Sequence, residues 1–214
     1  MIEIQNVTKV YGKQTVLSCV SATLEAGRIY GLVGINGSGK TTLMRCICGF
    51  THPTSGKIIV NGDEIGKKVD FPKRTGIIIE TPCFLPYLSG FQNLKELASI
   101  RNIISKEEIA EAMEQVKLDP SSRKHVGKYS LGMRQRLGIA QAIMERPRYL
   151  ILDEPMNGLD TQGMEDVREL LQKQKETGVT VILASHSMED IRLLCDTVHR
   201  IQDASLIPCT TEFS

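Results

Sequence analysis

The amino-acid sequence predicts an α/β fold: a mostly parallel sheet with helices on its faces and a helical lobe inserted in it. Three observations carry this. The apolar runs "RIYGLVG", "RYLILDEP" and "VTVILASH" read as buried strands and are separated by stretches of helical period, the alternation that builds a parallel sheet. Between Pro82 and Lys128 the texture turns to helix alone. The chain has 214 residues, 41% hydrophobic and 24% charged, which is enough for one sizeable core carrying a lobe.

In chain order, "IEIQNVTKV" and "TVLSCVSATLEAG" alternate as short strands, the second ended by Gly27. "RIYGLVG" is a compact apolar strand, "GSGKTTLMRCICGF" a helix, and "GKIIVNGDEI" and "TGIIIE" return to strand. "LSGFQNLKELASIRNII" and "SKEEIAEAMEQVKL" have helical period, the latter opening on a Ser105 cap with Glu108 three residues on. Tyr129, Ser130 and Gly132 then stand at the start of a segment whose Leu137, Ile139, Ala140, Ile143 and Met144 recur at helical spacing. After it come the strand "RYLILDEP", the helix "TQGMEDVRELLQKQKETG" and the strand "VTVILASH". The final "TVHRIQDASLIPCTTEFS" reads as two short strands and a loose tail.

A net charge of +1 with scattered lysines and arginines argues against nucleic acid or an anionic membrane surface as principal partner. The six cysteines form no C-x-x-C pair and the four histidines lie far apart, so neither a zinc site nor a disulfide framework is expected, and the thiols read as reduced ones in a cytosolic protein. The N-terminus lacks a basic start followed by an apolar run, and no stretch approaches the roughly 18 apolar residues of a membrane span. A role at a membrane therefore requires another subunit to supply the span.

"GINGSGKT" (Gly34 to Thr41) matches the G-x-x-x-x-G-K-[ST] phosphate loop, with a strand before it and a helix after it. The glycines let backbone N–H groups wrap phosphates, Lys40 brings positive charge to the β- and γ-phosphates, and the Thr41 hydroxyl can ligate Mg²⁺. Asp153 and Glu154 fall at the C-terminal end of a strand, where ligands of open parallel sheets gather. Asp153 suits Mg²⁺ or its water, and Glu154 suits a general base for the attacking water. His186 ends another apolar strand, at the edge where it can hydrogen-bond a γ-phosphate or that water. His52, His125 and His199 have no such context. The helix N-terminus at Tyr129–Gly132 is a second place prepared for an anion.

These segments, in this order over nearly the whole chain, resemble the ATP-binding cassette (ABC) ATPases. The resemblance implies a P-loop NTPase core with an N-terminal antiparallel β subdomain, residues 1–81 and 139–214, and an inserted α-helical subdomain, residues 82–138. It implies that "YSLGMRQR" is the family's signature motif, which binds the ATP held by a second cassette. Two cassettes then pack head to tail, each ATP lying between Lys40 of one and Ser130 with Gly132 of the other. By the same resemblance the chain's own ATP contacts come from Tyr11, which stacks on adenine, and from Gly34, Asn36, Gly37, Ser38, Gly39, Lys40, Thr41 and Thr42. "NGLD" matches the loop joining the two sites, with Asp160 as its interface carboxylate. A separate integral membrane permease is implied as partner, with the cassette peripheral on the cytoplasmic face of the plasma membrane and not itself inserted.

Two departures stand out against the family's Leu-Ser-Gly-Gly-Gln and its usual glutamine. Leu131 and Met133 replace a glycine and the glutamine of the signature, and Glu80 stands where a glutamine is usual. A carboxylate accepts hydrogen bonds or ligates Mg²⁺ but cannot donate, so Glu80 is expected as an acceptor on the Mg²⁺ side or as a solvated loop residue. "IIIETPCFLPYLSGFQNL" together with "YSLGMRQRLGIA" is most similar to the bacitracin-resistance and lantibiotic-immunity exporters. That implies an ATPase subunit driving export of a small molecule or peptide, a peptide antibiotic among the candidates. The alternative is a soluble ABC-type ATPase acting on ribosomes or DNA, whose relatives usually carry paired cassettes, coiled coils or basic arms that this sequence lacks. A phosphate-loop kinase would leave "YSLGMRQR" and Glu154 unexplained.

Overall fold

The structure, a computed structural model, describes residues 1–209. Two sheets organise it. The first takes β1 (Ile2–Tyr11), β2 (Gln14–Leu24), β4 (Ser55–Val60) and β5 (Asp63–Glu64) in the order β2-β1-β4-β5, all antiparallel. Ile2, Ile4 and Val7 of β1 and Leu17, Val20 and Leu24 of β2 are buried, so the alternation in sequence marks the inner face. These strands run 10 and 11 residues, close to the alternating stretches, with β2 stopping at Leu24, ahead of Gly27. Register shifts between Ile4 and Val10, with Asn6 and Cys19 at φ 51° and 50°, let pairing continue through the irregularity as bulges do.

The second sheet has the order β10-β9-β3-β8-β7-β6. β3 (Ile29–Val33), β6 (Thr75–Ile78), β7 (Tyr149–Asp153), β8 (Thr180–Ala184) and β9 (Thr197–Gln202) are mutually parallel, and β10 (Ser205–Cys209) returns antiparallel to β9. The mostly parallel sheet is thus present, and β9 and β10 are the two short strands expected near the end. The tail after Cys209 lies outside the described residues. Strands buried on both faces need continuous apolar runs. In β7, Leu150 and Leu152 pack toward the helical lobe while Tyr149 and Ile151 pack toward the antiparallel sheet and α1 (Lys40–Ile47).

The segment rich in helix contains α2 (Gly90–Arg101), α3 (Lys106–Gln115) and α4 (Leu131–Ile143). Both α2 and α3 open on full capping boxes, Ser89 with Gln92 and Ser105 with Glu108. α2 stops at Asn102 in the left-handed conformation, short of the apolar "NII" that extends its pattern in sequence. Arg136 of α4 ties this lobe to the core: its guanidinium donates to the Val116 carbonyl at 2.9 Å and to Asp166 of α5 (Thr161–Glu176) at 3.0 Å. α6 (Met188–Leu194) is not predicted by the sequence, since seven residues are too few to display a period. No helix among the described residues is long and apolar enough to cross a membrane.

Candidate nucleotide site

The turn between β3 and α1 is shaped for backbone donation. Gly39 has φ 112°, and a Cβ there would lie 2.9 Å from the Val16 carbonyl, so only glycine lets the loop wrap this closely. Lys40 is buried, and its ammonium donates to the carbonyls of Gly34 at 2.7 Å and Ile35 at 3.2 Å, holding the charge inside the loop. One residue on, the Thr41 hydroxyl donates to Asp153 Oδ2 at 2.7 Å, joining the start of α1 to the end of β7.

A cavity of about 850 Å³ opens there. Asn36, Gly37, Ser38, Gly39, Lys40, Thr41 and Thr42 border it from the loop, and Asp153, Glu154 and His186 border it from the strand ends. Tyr11 and Glu80 line it as well. Gly34 lines instead the neighbouring cavity of about 790 Å³, which shares Gly37, Ser38 and His186 with the first. Tyr11 is half-exposed with the Lys9 ammonium 4.8 Å from its ring centroid.

Glu154 follows β7 with its backbone in the left-handed region, φ 51°, and its N–H donates to the Ala184 carbonyl at 3.0 Å. Its Oε2 accepts from the His186 backbone N–H at 3.3 Å. Its Oε1 lies 3.3 Å from His186 Nε2 but out of hydrogen-bond alignment, leaving that oxygen buried and without a partner. Burial pushes the Glu154 carboxyl above its ordinary value and Asp153 adds to this, while His186 and Lys40 oppose it. An oriented, partly desolvated carboxylate with one free oxygen is equipped to take a proton or align a water.

Three supports were not visible in the sequence. Gln135 of α4 is buried and its amide donates to the Glu154 carbonyl at 3.3 Å and the Pro155 carbonyl at 2.8 Å. Arg168 of α5 clasps buried Asp190 Oδ1 at 2.9 and 2.6 Å, fixing α6 and the turn that carries His186. Arg45 of α1 donates to Glu80 Oε1 at 2.5 Å. The only sequence signal for Gln135 is its place in "RQR"; the two arginines meet partners 22 and 35 residues away.

The remaining predicted residues lie apart. Ser130 is exposed and its hydroxyl accepts from the Met133 N–H at 3.1 Å, capping α4, and neither Ser130 nor Gly132 borders the cavity. Leu131 does border it and packs on Gly158, where an added Cβ would meet Leu131 Cδ2 at 2.4 Å. Asp160 is exposed and caps α5, its Oδ1 accepting from the Gly163 N–H at 2.9 Å.

Thr41 and Asp153 present converging hard oxygens of the kind Mg²⁺ takes. Among the described residues no group of three His, Cys, Asp or Glu side chains could hold a metal unaided, which fits an ion completed by phosphate and water oxygens. Glu80 is turned to Arg45 instead of to this pair.

A family model described as ABC transporter matches residues 17–157. The uncharacterized ABC transporter ATP-binding protein YybJ of Bacillus subtilis (strain 168) is 47% identical over 196 residues, covering 92% of this chain and 90% of that protein. The bacitracin transport ATP-binding protein BcrA of Enterococcus faecalis is 41% identical over 209 residues, 97% of this chain and 68% of that protein. The lantibiotic transport ATP-binding protein SrtF of Streptococcus pyogenes is 37% identical over 207 residues, 97% and 89% of the two chains. Among solved structures, an ATP binding subunit of an ABC transporter superposes with TM-score 0.88 at 26% identity, covering 99% of this chain and 90% of that one. A dimeric ATP-binding cassette bound to ADP and Pi superposes with TM-score 0.85 at 21% identity over 96% of both chains, a likeness of fold.

Proposed function

The chain belongs to the ABC transporter family and is its ATP-binding, ATP-hydrolysing kind of subunit; from that premise we propose that two such cassettes close head to tail on ATP and drive export through a separate membrane permease. The observation that carries the chemistry is the Thr41–Asp153 bond, which brings the phosphate loop and the end of β7 to one cavity with Glu154 and His186. Loop N–H groups and Lys40 hold the β- and γ-phosphates, and Tyr11 receives the adenine. Held by Thr41 and Asp153, Mg²⁺ would neutralise charge on the phosphates. Glu154, which borders the cavity, orients the attacking water and takes its proton, while His186 contacts the γ-phosphate side and fixes the carboxylate.

Ser130 and Gly132 contact the partner cassette's ATP in this scheme, and Asp160 lies at the junction. Support comes from the exposure of Ser130 and Asp160 and from the place of all three outside the chain's own cavity. ATP gains the contacts of the second cassette only in the closed pair, so it shifts the population toward closure, and hydrolysis removes that bias. The inserted helical subdomain, residues 82–138, carries the signature segment to the partner. The relatives' names favour a peptide antibiotic as cargo, with the cassette peripheral on the cytoplasmic face. Two measurements test the reading. The purified chain should hydrolyse ATP only with a divalent cation present. It should also co-purify from detergent extract with a protein of several apolar spans of about 20 residues each; a chain that hydrolyses ATP but brings down ribosomes or DNA would refute the exporter role.

A further inference from the structure

Arg45 is not used in the scheme above, yet it engages a carboxylate at the cavity wall. It follows Thr41 by four residues, so both side chains leave the same side of α1. Thr41 reaches Asp153 at the end of β7, and Arg45 reaches Glu80 just beyond the adjacent strand β6. Glu80 lines both the nucleotide cavity and a cavity of about 510 Å³ between β6, α2 and α4. Its backbone is held at φ 64°, in the left-handed region that L side chains rarely adopt.

A bare carboxylate beside a triphosphate repels it, and the repulsion falls when a fixed cation neutralises the acid. We propose that Arg45 is the positioning residue of Glu80: it pins the carboxylate to the cavity wall and offsets its charge, so that an acid can stand beside bound ATP. The inference rests on the ATP reading given above. A guanidinium in the last turn of α1 is also favoured by the helix dipole, but that role would be indifferent to residue 80.

A double-mutant cycle on the full chain separates the two, reading MgATP affinity by titration with a fluorescent ATP analogue. Wild type should bind and Lys40→Ala should bind at least about tenfold more weakly; failure there would count against the ATP reading itself. Arg45→Gln keeps length and helix propensity, and should weaken MgATP binding by about threefold to fivefold, the scale of a partly exposed ion pair. Arg45→Lys should recover most of that loss, and in the Glu80→Gln background the effect of Arg45→Gln should disappear. An equal loss in both backgrounds, or no loss from Arg45→Gln in wild type, would overturn the proposal.

Discussion

The phosphate loop and the segment before α4 are both turns that open a helix, and they are built in opposite ways. At Gly34–Thr41 the charge and the hydroxyl are directed inward: Lys40 is buried among loop carbonyls, and Thr41 is bonded to the end of β7. At Tyr129–Gly132 the tyrosine is buried, but Ser130 is exposed, its hydroxyl serves only its own helix, and it stays off the chain's own cavity. Leu131, more than half exposed, is seated on Gly158. A site that organises its own charges can bind alone. A helix start that faces solvent with its cap already made is suited to completing a site elsewhere.

The largest effect should come from the inward-facing site. Glu154→Gln is expected to keep MgATP binding while turnover falls by at least about a hundredfold, the usual scale of general-base assistance. Phosphate release by the purified variant measures it, and a near-normal rate would remove Glu154 from the role. Lys40→Ala should weaken ATP binding by about tenfold to a hundredfold, since a buried charge-assisted donor is lost. Ser130→Ala should leave the affinity of the isolated monomer unchanged, and equal losses in the two variants would erase the contrast between the turns.

A smaller effect probes how the outward-facing turn is seated. Gly158→Ala places a methyl against Leu131 at a residue with φ 77°, and should destabilise the fold by about 1–3 kcal/mol. Adding Leu131→Gly should return part of that, about 1 kcal/mol by denaturant titration. Strict additivity would mean the two loops are not packed together.

The smallest effect concerns pH. Burial raises the Glu154 carboxyl in the folded state, so the folded chain binds more protons there than the unfolded one between the ordinary value and the raised one. Stability falls as pH rises through that window, and the cost is fully present above the folded value. Glu154→Gln should therefore melt about 1–3 °C higher than wild type at neutral pH, the difference closing as pH drops below the ordinary carboxylate value. Wild-type turnover should lose its acid limb at higher pH than an unperturbed glutamate would give.

The contrast between the turns also explains what could be read from the chain in advance. Gly34–Thr41 and Asp153–Glu154 were legible because their chemistry depends on residue types at fixed short spacing, flanked by strands whose apolar runs are long enough to recognise. The supports were not. Arg45 meets Glu80, and Arg168 meets Asp190, only after the chain has folded, and nothing local marks either arginine. Gln135 hides on the buried side of α4 as one polar residue in an otherwise ordinary helical pattern. Asp160 caps α5, a duty that its resemblance to an interface carboxylate does not announce. α6 is too short to carry a period, and the irregular register within β1, read in sequence as one alternating run, is set by its pairing with β2.

The central claim is that the loop of one copy and the Ser130 segment of another share one ATP, and mixing two crippled chains tests it most directly. Lys40→Ala lacks a working loop, and Ser130→Ala lacks a working outward turn. A hybrid pair holds one composite site with Lys40 from one chain and Ser130 from the other intact. Steady-state ATP hydrolysis of the mixture should exceed the sum of the two variants measured separately, with the gain rising with protein concentration as pairing increases. A mixture whose rate never exceeds that sum, while wild type is active under the same conditions, would contradict the head-to-tail account.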